Sequence, residues 1–394
     1  MSYDLEVYGK VALSTRDLVK VVSADRALKA QVDKRADAVG AVVWKKSGAH
    51  FFTIDGPMQV EPEDLPEGWA EGEGATVLYS LSITYDVSEG PEGFSATVDG
   101  ADADAAKAFA ERLAARIDGA VWDPQTWEPA EVVEESGVAE PEAVRERYLH
   151  MEWWRLRDGT NDLAEVFLRT TREFFPTAVP TRFGTNEPMQ GKLSRDGDSA
   201  FDAMYREECE WGNGLMFDSA AKGSGHVGGW NNATPVGVTF VGLTFELSRL
   251  EKVGVLGEVE RFLVSLAERT RAFFAYTAVN HRPYVSGERR FLPGGQWSGL
   301  PGDPRWMTWF DADYAELVRP HLDSVLTTDS RRGLLHRWSE VPMSEEELLQ
   351  ISPDPWIPVE LSGTPDPDDW FRCTEGAVMM PSTLRYPAEL PRRV

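Results

Sequence analysis

Cysteine is nearly absent from the 394 residues: Cys209 and Cys373 stand far apart, with no CxxC. That spacing excludes a disulfide framework or a zinc knuckle as the basis of the fold. No run of 18 apolar residues occurs, so no membrane span is expected. The opening MSYDLEVYGKVALSTRD has no basic segment leading into a continuous apolar one, and the expected location is the cytoplasm. Basic residues are few, with 40 Lys and Arg against 65 Asp and Glu, for a formal net charge of −25. A field of that sign repels nucleic acid and anionic membranes and favours cationic partners. Histidine is scarce as well. His50, His150, His226, His281, His321 and His336 are never closer than fifteen positions, so no local ligand spacing exists and neither metal nor cofactor is expected.

Signature motifs of catalysis are missing too. There is no GxxxxGK[ST], no HExxH, no GxSxG and no EF-hand spacing. Gly223-Ser-Gly225-His-Val-Gly228 matches GxGxxG, but Gly229 to Pro235 cannot open the helix that would carry a pyrophosphate, so a flexible loop is expected. Asp366, Asp368 and Asp369 read as a solvated Pro/Asp loop, because adjacency of acids carries little information in so acidic a chain. His321 and Asp323 lack an accompanying nucleophile, and Asn232-Ala-Thr234 is a chance sequon. A protein without catalysis is the expectation.

What is present is ample apolar material, 42% hydrophobic residues including 14 Trp, in a chain long enough for two domains. The expected class is α+β, each domain a mainly antiparallel sheet with helices on one face. The first domain is placed at 1–128, an acidic linker at 129–147 and the second domain at 148–394, ending in a tail with eight prolines from Pro353 onward.

In the first domain Tyr3, Leu5 and Val7 alternate as a strand, and Thr15 is placed to cap a helix through Leu18 and Val22. Ala41–Trp44 and Phe51–Ile54 flank Lys45-Lys46-Ser47-Gly48 as a hairpin. Val77 to Tyr85 is the clearest strand, and Ala106, Phe109, Ala110, Leu113 and Ile117 form one helical stripe. Ala120–Trp122 reads as an edge strand.

The second domain opens with the unit that organises the rest, Tyr148 to Leu193. In its strand Leu149, Met151 and Trp153 face one way, and Tyr148, His150, Glu152 and Trp154 the other. Asp158-Gly159 turns the chain, and Asn161 is placed to cap a helix through Leu163, Val166, Phe167, Thr170 and Phe174, ended by Pro176. Val236–Leu247 is apolar on both faces and reads as an interior strand. A helix with Val259, Phe262, Leu263 and Leu266, and a strand over Phe274–Val279, follow.

Charge is concentrated. Between Asp55 and Asp104 lie thirteen Asp and Glu and no Lys or Arg. A surface for a cationic partner is expected there, built from Glu61, Glu63, Asp64, Glu67, Glu71 and Glu73 around Trp69. Arg182 and Glu187, in the loop Pro180 to Pro188, are candidate contacts that also suit a local pair or a helix cap.

The aromatic opening strand and helix, that loop (PTRFGTNEP), and Trp297-Ser-Gly299-Leu300-Pro301 leading into Trp306-Met-Thr-Trp309-Phe310 resemble bacterial polymorphic-toxin immunity proteins, closest to the immunity protein 52 type. The resemblance covers about Tyr148 to Leu322 and leaves the acidic first domain outside it. It implies a cytoplasmic binder that neutralises a cognate protein toxin. Two other readings stay open: a hydrolase or transferase with a site between the domains, and a scaffold in a phage-defence assembly.

Overall fold

The computed structural model describes residues 3–32, 40–66, 68–83, 86–90, 93–97, 100–124, 146–157, 161–211, 213–229, 237–281, 291–292, 296–351, 356–366 and 373–385. Glu67, most of the linker expected at 129–147, the turn at Asp158-Gly159, the sequon at Asn232, and Asp368 to Phe371 lie outside them. The chain divides into two compact units, Met1–Ala139 and Glu140–Val394. The fold is α+β.

The first unit runs β1 (Tyr3–Gly9), α1 (Thr15–Ser23), β2 (Leu28–Val32), β3 (Gly40–Lys45), β4 (His50–Gln59), β5 (Val77–Ile83), β6 (Asp86–Gly90), β7 (Gly93–Thr97), α2 (Gly100–Arg116) and β8 (Ala120–Trp122). Six strands form an antiparallel sheet in the order β2-β3-β4-β5-β1-β8, and β6 pairs β7 separately. Alternation in β1 sorts the core. Leu5 and Val7 lie opposite Leu81 and Tyr79 on one face, where Leu18 and Val22 of α1 and Phe109 and Leu113 of α2 cover them. Tyr8 and Leu78 point to the other face. The cap of α1 is Ser14 rather than Thr15: its hydroxyl accepts from the backbone N–H of Asp17, because Ser14 keeps extended angles while Thr15 is already helical.

The second unit contains β9 (Tyr148–Leu156), α3 (Leu163–Phe174), β10 (Pro180–Gly184), β11 (Gly191–Lys192), α4 (Leu193–Trp211), β12 (Gly214–Ser219), β13 (Ser224–Gly228), β14 (Val238–Glu246), α5 (Leu247–Val253) and α6 (Leu256–Thr270). It continues with β15 (Ala272–Asn280), β16 (Met307–Asp311), α7 (Ala312–Val318), β17 (Thr327–Asp329), β18 (Gly333–Arg337), α8 (Glu345–Ile351), β19 (Thr364–Pro365) and β20 (Cys373–Glu375). A ten-stranded antiparallel sheet has the order β11-β10-β12-β13-β14-β9-β15-β16-β18-β17, with β9 bonded to β14 and β15.

Leu149, Met151 and Trp153 of β9 are buried with Phe167 of α3, Phe201 of α4 and Phe262 of α6. Trp154 lies on the opposite face with Phe274, Phe310 and Tyr314 of α7, beneath Trp297, Leu300, Trp356, Leu361 and Leu384. A sheet apolar on both faces must be covered on both. Helices do this on one side; α7 and the irregular segments of the proline-rich tail do it on the other. The helix after β9 has Asp162 at its N-cap position, with the carboxylate on Arg155 at 2.7 Å and no side-chain capping bond, while Asn161 adopts a positive φ of 47° as the residue that turns into it. The GxGxxG run is strand β13 and not a loop. A Cβ on Gly225 would stand 2.1 Å from the Phe217 ring, so the glycine makes room for an aromatic on the neighbouring strand.

Candidate functional site

The acidic segment after β4 crosses the second face of the first sheet as a strap. One of its carboxylates holds the strap itself: Asp64 Oδ2 accepts from Glu61 N–H at 2.7 Å, while Asp64 N–H donates to the Glu61 carbonyl at 2.9 Å. Glu63, Glu71 and Glu73 are exposed. Trp69 turns inward, its ring edge-to-face with Tyr8 and with Trp122, 5.3 Å from each. Val60, Ala75 and Leu78 complete this small core. Tyr8 donates to Glu6 Oε2 at 2.7 Å, and burial pushes its hydroxyl pKa up. Trp69 is therefore the half-buried peg that fastens an acidic strap, with one side left to line a cleft.

Gly72 sets how closely the strap folds over this peg. A Cβ there would stand 2.3 Å from the Trp69 ring. Gly72→Ala is expected to displace the indole and cost about 1–3 kcal/mol. A drop in the denaturant midpoint together with a shift in tryptophan emission is the expected observation. An unchanged midpoint would mean the strap adjusts freely.

The cleft of about 750 Å³ lies between the strap, the last turns of α2 and β8, lined by Trp69, Glu71, Lys107, Glu111, Trp122 and Asp123 among others. Lys107 Nζ stands 3.8 Å from Asp123, whose side chain is 7% exposed. Of the residues expected from sequence, the cleft gathers Trp69 and Glu71. Lys107, Glu111, Trp122 and Asp123 were missed, because they sit on α2, on β8 and just after it, outside the acidic segment. The one local signal was Trp122 in a three-residue edge strand.

Arg182 and Glu187 belong to the second unit. Arg182 lies on β10 and donates to the Met189 carbonyl at 3.0 Å, so it braces the hairpin between β10 and β11. Glu187 is exposed in that hairpin. The first half of the expected loop, Pro180 to Gly184, is a strand.

No family model and no curated protein matches the chain. Among solved structures it is similar to the Pseudomonas aeruginosa T6SS protein PA0821, at 14% identity and a TM-score of 0.37, over 55% of this chain and 78% of that one. The likeness to the immunity protein 52 type thus rests on the short motifs alone.

Several polar groups of the second unit are buried inside it. Glu152, Tyr276, Thr308, His336 and Thr327 are register neighbours in one row across the sheet. His336 is 1% exposed; its Nδ1 lies 2.9 Å from Thr327 Oγ1, and burial lowers its pKa to about 4. His150 is held between Thr244 Oγ1 at 3.0 Å and Asn280 Oδ1 at 2.9 Å. Arg305, 4% exposed, pairs with Glu345 at 2.5 Å, and its guanidinium lies 5.7 Å from the centre of the Tyr276 ring. His336 with Thr327, His150 with Thr244 and Asn280, and Arg305 with Glu345 thus pair between neighbouring elements. Among the described residues no group of three or more His, Cys, Asp and Glu is placed to hold a metal ion. No helix among them is long and apolar enough to cross a membrane.

Proposed function

We propose that the chain is a non-catalytic immunity or inhibitor protein that binds and neutralises a cationic protein toxin through the acidic face of its first unit. The observation that carries this reading is the segment of thirteen carboxylates without a single Lys or Arg, on a molecule of net charge −25. Its exposed members Glu63, Glu71 and Glu73 project from a strap fixed by Trp69. Such a field raises the encounter rate with a basic protein, and a few desolvated anchors then supply specificity. The motifs shared with the immunity protein 52 type support the same reading from the second unit.

The partner is to be isolated by affinity capture on the full chain. It should bind in stoichiometric amount, be basic, and lose its toxicity in a bacterial host that also makes this chain. With that partner in hand, reversing Glu63, Glu71 and Glu73 to Lys should slow association roughly tenfold or more at low ionic strength. The effect should shrink as salt rises and the Debye length falls below about 8 Å. Stopped-flow rates that are equal for the two proteins at low salt would remove the strap from the interface.

A further inference from the structure

We propose that the cleft between the strap and α2 is the receptor for an arginine side chain of the cationic partner; this rests on the binder reading above and assigns it a place. Three observations converge. The cavity, about 750 Å³, is wide enough for a basic side chain together with its neighbours, and it carries two indoles, Trp69 and Trp122. Its charge is mainly negative, with Glu71, Glu111 and Asp123 set against Lys107 among the described residues. Neither Glu71 nor Glu111 forms an ion pair among the described residues, and both are exposed.

Among the described residues the cation lining the cleft, Lys107, serves it poorly. Lys107 stands 3.8 Å from Asp123, beyond the 2.7–2.9 Å of a charge-assisted hydrogen bond. Lys107 is 47% exposed, so little holds it in place. A planar guanidinium suits these surroundings better than a second ammonium. It can lie against an indole and direct its forked donors to carboxylates at the rim, and it gives up water more readily than lysine does. Lys107 then acts as a placeholder, swinging out when the guanidinium arrives.

The lining also separates this cleft from the general acidity of the strap. Glu63 and Glu73 contribute to the field but do not line the cavity, whereas Glu71 does both. That difference makes the site testable without the natural partner.

The probe is a blocked arginine–glycine repeat peptide of ten residues, titrated into the full chain at low salt and followed by calorimetry and tryptophan emission. The lysine–glycine peptide serves as its comparison. The arginine peptide is expected to bind several-fold more tightly and to change the emission. Glu71→Gln with Glu111→Gln, both on the surface and harmless to folding, should weaken it roughly tenfold. Glu63→Gln with Glu73→Gln, the same change in charge outside the cleft, should weaken it less than twofold. Lys107→Met should tighten it. Equal losses in the two double variants would assign binding to the diffuse field; the cleft would be overturned while the acidic-surface reading stood. Equal affinity for the two peptides, or displacement by magnesium at matched ionic strength, would overturn the arginine assignment. Absence of binding by either peptide at low salt would sink this proposal and the binder reading together.

Discussion

Trp153→Ala should lower the unfolding free energy of the second unit by about 3–5 kcal/mol, the range for deleting a large buried aromatic. Trp153 is 1% exposed at the middle of β9, in register with Val241 on one side and Ala275 on the other. Its ring meets Phe262 of α6 edge-to-face at 5.3 Å, and its Nε1 donates to the Leu263 carbonyl at 2.9 Å. Alanine thus opens a cavity where helix meets sheet and removes the donor that Leu263 uses. Trp153→Phe keeps most of the apolar area and loses chiefly the hydrogen bond, so about 1–2 kcal/mol is expected. Guanidinium unfolding of both variants gives the comparison. An alanine variant within 1 kcal/mol of the natural protein would show that this face is not the core that stabilises the unit.

Acid should destabilise the second unit before most of its carboxylates protonate. His336 and His226 have pKa values lowered from 6.5 to about 4, chiefly because burial disfavours the imidazolium. Below pH 6.5 the unfolded chain takes up protons that the folded chain refuses. Stability therefore falls as pH drops from 6.5 toward 4, by up to about 3 kcal/mol for a fully buried imidazole such as His336. Asp311 acts in the opposite sense. Burial raises its pKa from 3.8 to about 6, so its contribution is present at low pH and lost as pH rises through that value. Asp311 also accepts from Tyr314 N–H at 2.9 Å to start α7, a role that asparagine can keep. His336→Gln is thus expected to flatten the acid side of the stability profile, and Asp311→Asn to steepen it. Profiles that superimpose across all three proteins would show that these burials do not control the response.

The two units differ in how openly the sequence announces them. The apolar stripe of Phe109 and Leu113, the alternation from Val77 to Ile83 and the two-sided apolar run of β14 are local patterns, and each became the expected element. The division of β9 into Leu149, Met151 and Trp153 against His150, Glu152 and Trp154 also holds in the fold. Helix starts were less legible, because Ser14 and Thr15, like Asn161 and Asp162, offer adjacent polar side chains. Backbone angles, not composition, choose between them. The glycines of β13 misled for a related reason: their purpose is space for Phe217, which is visible only once β12 and β13 are paired.

The candidate site divides along the same line. Trp69 and Glu71 stand out from the acidic stretch around them, since a lone aromatic among carboxylates is a local feature. Lys107, Glu111, Trp122 and Asp123 do not, because each reads alone as an ordinary helix or strand residue.

By itself the sequence determined the sign and concentration of charge, the α+β class, and which residues of each strand and helix turn inward, because these depend on composition and on periods of two or 3.6 residues. Only the tertiary structure decided that β9 lies between β14 and β15, that the proline-rich tail covers one sheet face, and that Trp69 meets Trp122 above a cleft. Those outcomes come from contacts between residues distant along the chain, where shape and register matter and local pattern is silent.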